Sequence, residues 1–344
     1  MNSKQRVDAV IKRRLPDRVP VCLHNFLSAA REAGVTMQQY RTDPEAIART
    51  HLQAVEKYGY DCILIDLDTT MIAEAMGARS DAAADEPGHI AAPAIHSLEE
   101  LGQLKPVDPA RDGRIPVLLE AVRILAKAVG SEISIRGNCD QGPFSLACLL
   151  RGNEDFLMDL AEEPDNPDIT RLLEICYQSH LAVHRAVAGA GAHFTSLGDS
   201  FSGPDVISPA MFEQFSRPFE ERLVRDLAAD DIFTVIHICG NTTRILESLG
   251  AYDFCGFELD YKTDAALAKN TVGKNHVLFG NIDPSGVVAR GTAEQVREAA
   301  SRLIGIWKPG GGFILNAGCA IPAGTPPENI HALVRAAREF GVYE

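Results

Sequence analysis

Positive charge is scarce in this 344-residue chain: 33 lysines and arginines stand against 47 aspartates and glutamates, a net charge of -14. A phosphate backbone needs a basic surface, so nucleic acid is excluded as a partner. No run approaches 18 uninterrupted apolar residues, so no membrane partner is expected. The first twenty residues are charged and hold no apolar stretch, unlike a secretory leader. The expected location is therefore cytoplasmic. No Gly-rich phosphate-binding fingerprint follows any early strand-like run. Cysteine is present, as Cys22, Cys62, Cys139, Cys148, Cys176, Cys239, Cys255 and Cys319. Scattered through so long a chain, these eight read as thiols and metal ligands rather than as a disulfide framework.

What the chain does have is alternation. Short apolar runs of strand type lie at 19–24, 62–68, 132–137, 193–197, 233–241, 253–259, 276–280 and 312–315. Helical periodicity covers 4–14, 44–58, 117–128, 144–162, 167–190, 208–226, 293–306 and 326–339, while 73–106 is irregular. Eight such units predict a (β/α)8 TIM barrel as one domain over residues 1–344, with a short N-terminal helical extension. A doubly wound open sheet is the alternative fold, weakened by the missing glycine fingerprint.

Each strand-like run ends in polar residues: His24 and Asn25, Asp66 and Asp68, Asn138 and Asp140, Asp199 and Ser200. The second half continues with His237 and Cys239, Glu258 and Asp260, Asn281 and Asp283, Asn316 and Cys319. A barrel gathers all these ends on one rim, where such folds keep their sites. About half of them are expected to serve only as helix caps and turn residues.

The sharpest signal lies in the fifth run. His237 and Cys239 are two residues apart, so on a strand both point to one face. Imidazole and thiolate side by side are ligands for a borderline metal, most often zinc. Taken alone, the pair reads more readily as a structural histidine beside a buried thiol. Cys319, after the last run, supplies a third ligand on the same rim. One His and two Cys leave a fourth tetrahedral position open, which suits a catalytic site. Asp68 and Asp199 are the candidate catalytic carboxylates, with Asp68 and Glu74 able either to orient a metal ligand or to cap a helix. His24, Asn138 and Asn281 are the candidate substrate contacts. Cys139 lies near the rim, and the other cysteines sit in apolar runs as small buried residues.

His237-Ile238-Cys239-Gly240-Asn241 followed by Gly318-Cys319 resembles the zinc signature of the uroporphyrinogen decarboxylase superfamily, in its corrinoid-dependent methyltransferase branch. Gly142-Pro143-Phe144, Ile207-Ser208-Pro209, Gly280-Asn281-Ile282-Asp283-Pro284 and Thr325-Pro326-Pro327-Glu328 read like further landmarks of that superfamily. The resemblance implies a barrel with zinc at its C-terminal mouth, held by His237, Cys239 and Cys319. It also implies an enzyme moving a methyl group between a small thiol or methylated compound and the cobalt of a corrinoid. The chain has no Asp-x-His-x-x-Gly cobalamin-binding pattern, so the corrinoid would be carried by a partner protein. A homodimer remains open.

The alternative function is a decarboxylase-like lyase acting on a tetrapyrrole. Against it, the segment after the first strand carries one arginine, Arg31, where the decarboxylases are arginine-rich, and Leu149 stands where they keep a tyrosine. Asp68 is the family carboxylate that survives. A third reading is a non-catalytic corrinoid-binding or assembly partner stapled by zinc.

Overall fold

The computed structural model describes residues 1–83 and 85–344. The apolar runs form the parallel strands β1 (Cys22–Leu23) and β2 (Cys62–Ile65), then a small antiparallel hairpin, β3 (Arg79–Asp81) and β4 (His89–Ala92). The parallel strands resume with β5 (Ser134–Gln141), β6 (Phe194–Gly198), β7 (Thr234–Ile238), β8 (Cys255–Leu259), β9 (Val277–Ile282) and β10 (Phe313–Ala317). Their order, β1-β2-β5-β6-β7-β8-β9-β10, follows the sequence without reversal. The ends meet: Leu315 N donates to the Pro20 carbonyl at 2.9 Å, and Val21 bridges Leu315 in parallel. An open doubly wound sheet would reverse its order partway, so the structure is the (β/α)8 barrel.

Strand β1 is short for a local reason. Pro20 has no N–H to give the ladder, so pairing can start only beyond it. Helices such as Pro44–Tyr58, Ile115–Val129, Pro167–Gly189 and Ala293–Trp307 ring the barrel and bury their apolar faces against it. The 144–162 stretch breaks at Gly152, whose φ of 95° separates Pro143–Arg151 from Asn153–Glu162. Within the irregular 73–106 stretch lie the hairpin and a 3-10 turn, Leu98–Gln103.

The N-terminal helix α1 (Ser3–Ile11) closes the bottom of the barrel. Its Val7, Val10 and Ile11 pack with Leu64, Phe194, Val235, Phe279 and Ile314 from the strand interiors. Arg6 fastens the helix to Asp61 at 2.7 Å, and Arg18 binds the same carboxylate at 2.8 Å. With the bottom filled by apolar side chains, a cavity can open only at the C-terminal end. Among the described residues no helix is long and apolar enough to cross a membrane.

Candidate metal centre

Strand β7 carries His237 inward at its end, and Cys239 follows two residues later on the same face. Gly240 then turns the chain at φ 87°; a side chain there would run into the Asp205 carboxylate. On the other side of the mouth Gly318 runs close to the loop after β8, where a Cβ would fall 2.6 Å from Tyr261 N. These two glycines let both cysteine loops close in. One nitrogen of His237 and the sulfurs of Cys239 and Cys319 all lie within 4.8 Å of one another.

The backbone prepares the histidine. His237 Nδ1 lies 2.9 Å from the Glu258 carbonyl, which can only accept, so Nδ1 carries a proton and Nε2 is the nitrogen aimed at the cluster. Nε2 lies 3.1 Å from Cys239 Sγ, which also meets Ser200 Oγ at 3.5 Å. A hydrogen bond from Cys319, opposed by burial and reinforced by His237, lowers the Cys239 thiol well below its usual range. The same hydrogen bond, together with burial, raises Cys319. Burial disfavours a charged His237, but the adjacent Cys239 and Glu258 outweigh it and raise the imidazole to about 10. The cluster thus concentrates negative charge on sulfur and holds protons that a cation can displace. One borderline and two soft donors, oriented by backbone, suit a metal of the zinc type.

Below the cluster is a cavity of about 150 Å³. His24 and Asn138, both expected as substrate contacts, line it. Asp66 ties them together: it accepts from His24 Nε2 at 2.8 Å and from Asn138 Nδ2 at 3.1 Å, while Ser196 Oγ donates to Asn138 Oδ1 at 3.0 Å. Deeper in, Arg136 ion-pairs with Glu258, and the Glu258 side chain also accepts from Asn316 Nδ2 at 3.2 Å.

Three of the expected site residues lie elsewhere. Asp68 lies past the end of β2, where the chain has left the strand and alternation no longer governs its direction. Its carboxylate is held by Arg41 and by Arg114 at 3.0 Å, in a cluster with Thr70 and Glu74. That cluster keeps both Asp68 and Glu74 ionised: burial raises them, but the two arginines acting on Asp68, and Arg114 with Ser80 and Thr70 on Glu74, lower them further. Asp199 turns back from the rim, accepting from Ser145 N at 2.7 Å and Ser145 Oγ at 2.5 Å beside the buried Glu220. Asn281 donates to the carbonyls of Asp260 and Thr263 at 3.3 and 3.1 Å, bracing a loop. Cys139 is fully buried beneath the rim. Neither Glu74 nor any of these four lines the cavity.

Several residues at the cavity were not singled out beforehand. Asp66, Ser200 and Glu258 were visible only as polar strand ends. Arg136 had one signal, a charge inside the apolar run of β5, which an interior position can tolerate only with a partner.

A family model described as "Uroporphyrinogen decarboxylase (URO-D)" matches residues 2–340. The chain is 30% identical over 343 residues to a methylcobamide:CoM methyltransferase of Methanosarcina barkeri, covering 98% of both. It is 26% identical to a uroporphyrinogen decarboxylase of Coxiella burnetii, covering 95% of this chain and 92% of that one. A solved methyltransferase from Methanosarcina mazei superposes with a TM-score of 0.89 at 27% identity, over 99% of each chain.

Proposed function

The chain belongs to the uroporphyrinogen decarboxylase family, and within it we propose a zinc-dependent methyltransferase that moves a methyl group between a small thiol or methylated compound and the cobalt of a corrinoid carried by a separate protein. The observation that carries this reading is the meeting of His237, Cys239 and Cys319 at the barrel mouth, three donors with a fourth tetrahedral position left over. A structural staple would need a closed shell of four. When bound, zinc would supply Lewis acidity, lowering the pKa of a thiol or polarising an ether oxygen.

The chain's own residues do the rest. Glu258 fixes the His237 tautomer through its carbonyl. The sulfurs of Cys239 and Cys319 balance a dication's charge, so a substrate heteroatom beside it keeps its electron density. His24, Asp66 and Asn138 form a hydrogen-bonded wall that positions the substrate beneath the incoming corrinoid face.

The relative from M. barkeri carries a methylcobamide:CoM methyltransferase name, and its identity exceeds that of the decarboxylase. The lyase reading needs several cations for the carboxylates of a tetrapyrrole. Arg136 is the one arginine lining this cavity, and it is turned to Glu258. The residues from 1 to 344 act as one barrel domain, with α1 as its plug. Eight free cysteines fit a reducing, cytoplasmic setting.

Elemental analysis should find one zinc per chain, and thiol-dependent demethylation of methylcobalamin should require it. Full activity in metal-free protein would remove the reading.

A further inference from the structure

Resting on that proposed function, we infer that the substrate's non-reacting end is small and either uncharged or positively charged, and that Asp66 is the residue that selects it. The cavity of about 150 Å³ is of the size that holds a benzene molecule, so about six non-hydrogen atoms fit beneath the mouth.

Four charged or chargeable side chains face this space besides the metal ligands: Asp66, Glu258, Arg136 and His24. Arg136 is the permanent cation. It is 2% exposed, ion-paired with Glu258, and its guanidinium lies 5.2 Å from the centre of the Phe279 ring. An anionic substrate would compete with Glu258 for Arg136, and drawing it off would leave a buried carboxylate uncompensated. His24 is committed as well: Nε2 sits 2.8 Å from Asp66 Oδ2 and Nδ1 3.9 Å from Glu258 Oε1. Arg136 and His24 therefore each already face a carboxylate. Arg31, the cation of the first loop, lines a separate groove with Thr36 and Met37.

Asp66 stands in the opposite condition. It is 6% exposed, and its two oxygens accept one hydrogen bond each, from His24 and Asn138. An ionised carboxylate has about four lone-pair positions, so acceptor capacity remains on the cavity side. On a carboxylate so little exposed, that spare capacity attracts a hydroxyl or an ammonium and repels a sulfonate or carboxylate.

The test is calorimetric titration of the zinc-loaded full chain with three thiols of one length: 2-mercaptoethanol, cysteamine and 2-mercaptoethanesulfonate. Affinities are corrected for each thiol's own ionisation. The neutral and cationic thiols should each bind at least about tenfold tighter than the sulfonate. In Asp66→Asn the advantage of cysteamine over the sulfonate should shrink about tenfold with zinc content unchanged. If that variant does not fold, the unmodified series decides alone. A sulfonate that binds as tightly as the other two, or an unchanged ranking in Asp66→Asn, overturns this inference and leaves the methyltransferase reading standing. If no thiol binds while zinc is retained, the open coordination position fails, and the inference falls with it.

Discussion

The two halves of the barrel interior are built by the same strands and share almost no chemistry. On β6 the inward face runs from Phe194 in the lower core to Ser196 and Gly198 above; on β7 it runs from Val235 to His237. One step of two residues takes the interior from apolar to polar. The lower half, plugged by Val7 and Val10 of α1, is a packed core with no room for a ligand. The upper half holds hydrogen-bonded carboxylates, two imidazoles and two sulfurs around a cavity. Between them Arg136 lies over Phe279 and reaches up to Glu258. Stability and chemistry are thus separated by height along the barrel axis, so that loops can change the site without unpacking the core.

That separation can be broken by exchange of effects. Cys319→Ala should have the largest consequence above and little below. Tight zinc binding and methylcobalamin demethylation should be lost, while the melting temperature of the metal-free variant stays close to that of the metal-free parent. A collapse of the metal-free variant would show that the mouth also holds the fold together. Phe194→Ala should do the reverse. Removing a side chain 1% exposed, packed edge-on to Phe233 at 6.2 Å, should cost about 3–5 kcal/mol by denaturant unfolding. Zinc stoichiometry in the folded protein should remain one, and its loss would contradict the division.

Arg136→Met tests the boundary itself. It leaves Glu258 as an uncompensated buried charge, at a cost of about 3 kcal/mol. Arg136→Met combined with Glu258→Gln should recover most of that stability, because no unpaired ion remains. A double variant no more stable than the single one would mean that the pair holds the barrel by shape rather than by charge.

The smallest effect concerns Asp199 and Glu220, the buried carboxylates behind the rim. Burial, then the proximity of Asp199, raises Glu220 far above its ordinary value, and Tyr252 and Ser216 offset this only in part. A carboxyl group raised on folding stabilises the protein fully below its unfolded pKa. It loses that contribution as pH rises through the folded pKa. Glu220→Gln should therefore flatten the dependence of melting temperature on pH above about pH 5, with its relative gain largest at alkaline pH. A parent whose melting temperature does not fall along that limb would show that the pair is not protonated in the folded state.

The meeting of His237, Cys239 and Cys319 was legible in sequence because its geometry is local. A spacing of two at the end of β7 carries His237 and Cys239 to the same side, and their ligand atoms meet. Any residue closely following the last strand of a barrel must lie on the same rim, which placed Cys319. Asp68 and Asp199 turn away from the cavity because, beyond the strands, the nearest partner decides direction. Arg41 and Arg114 captured one; Ser145 captured the other. Asp66, two residues earlier and still in step with Leu64, is the carboxylate that reaches the cavity.

Periodicity, punctuation and the His-x-Cys spacing by themselves determined the barrel, its polar rim and the approach of His237, Cys239 and Cys319, since each is set by chain geometry over a few residues. Only the tertiary structure decided which rim residues face inward, that Arg136 of β5 would find Glu258 of β8, and that α1 would seal the floor. Those outcomes depend on which charges meet across the barrel, at separations of more than a hundred residues. A buried charge takes whichever partner the closed fold brings within reach.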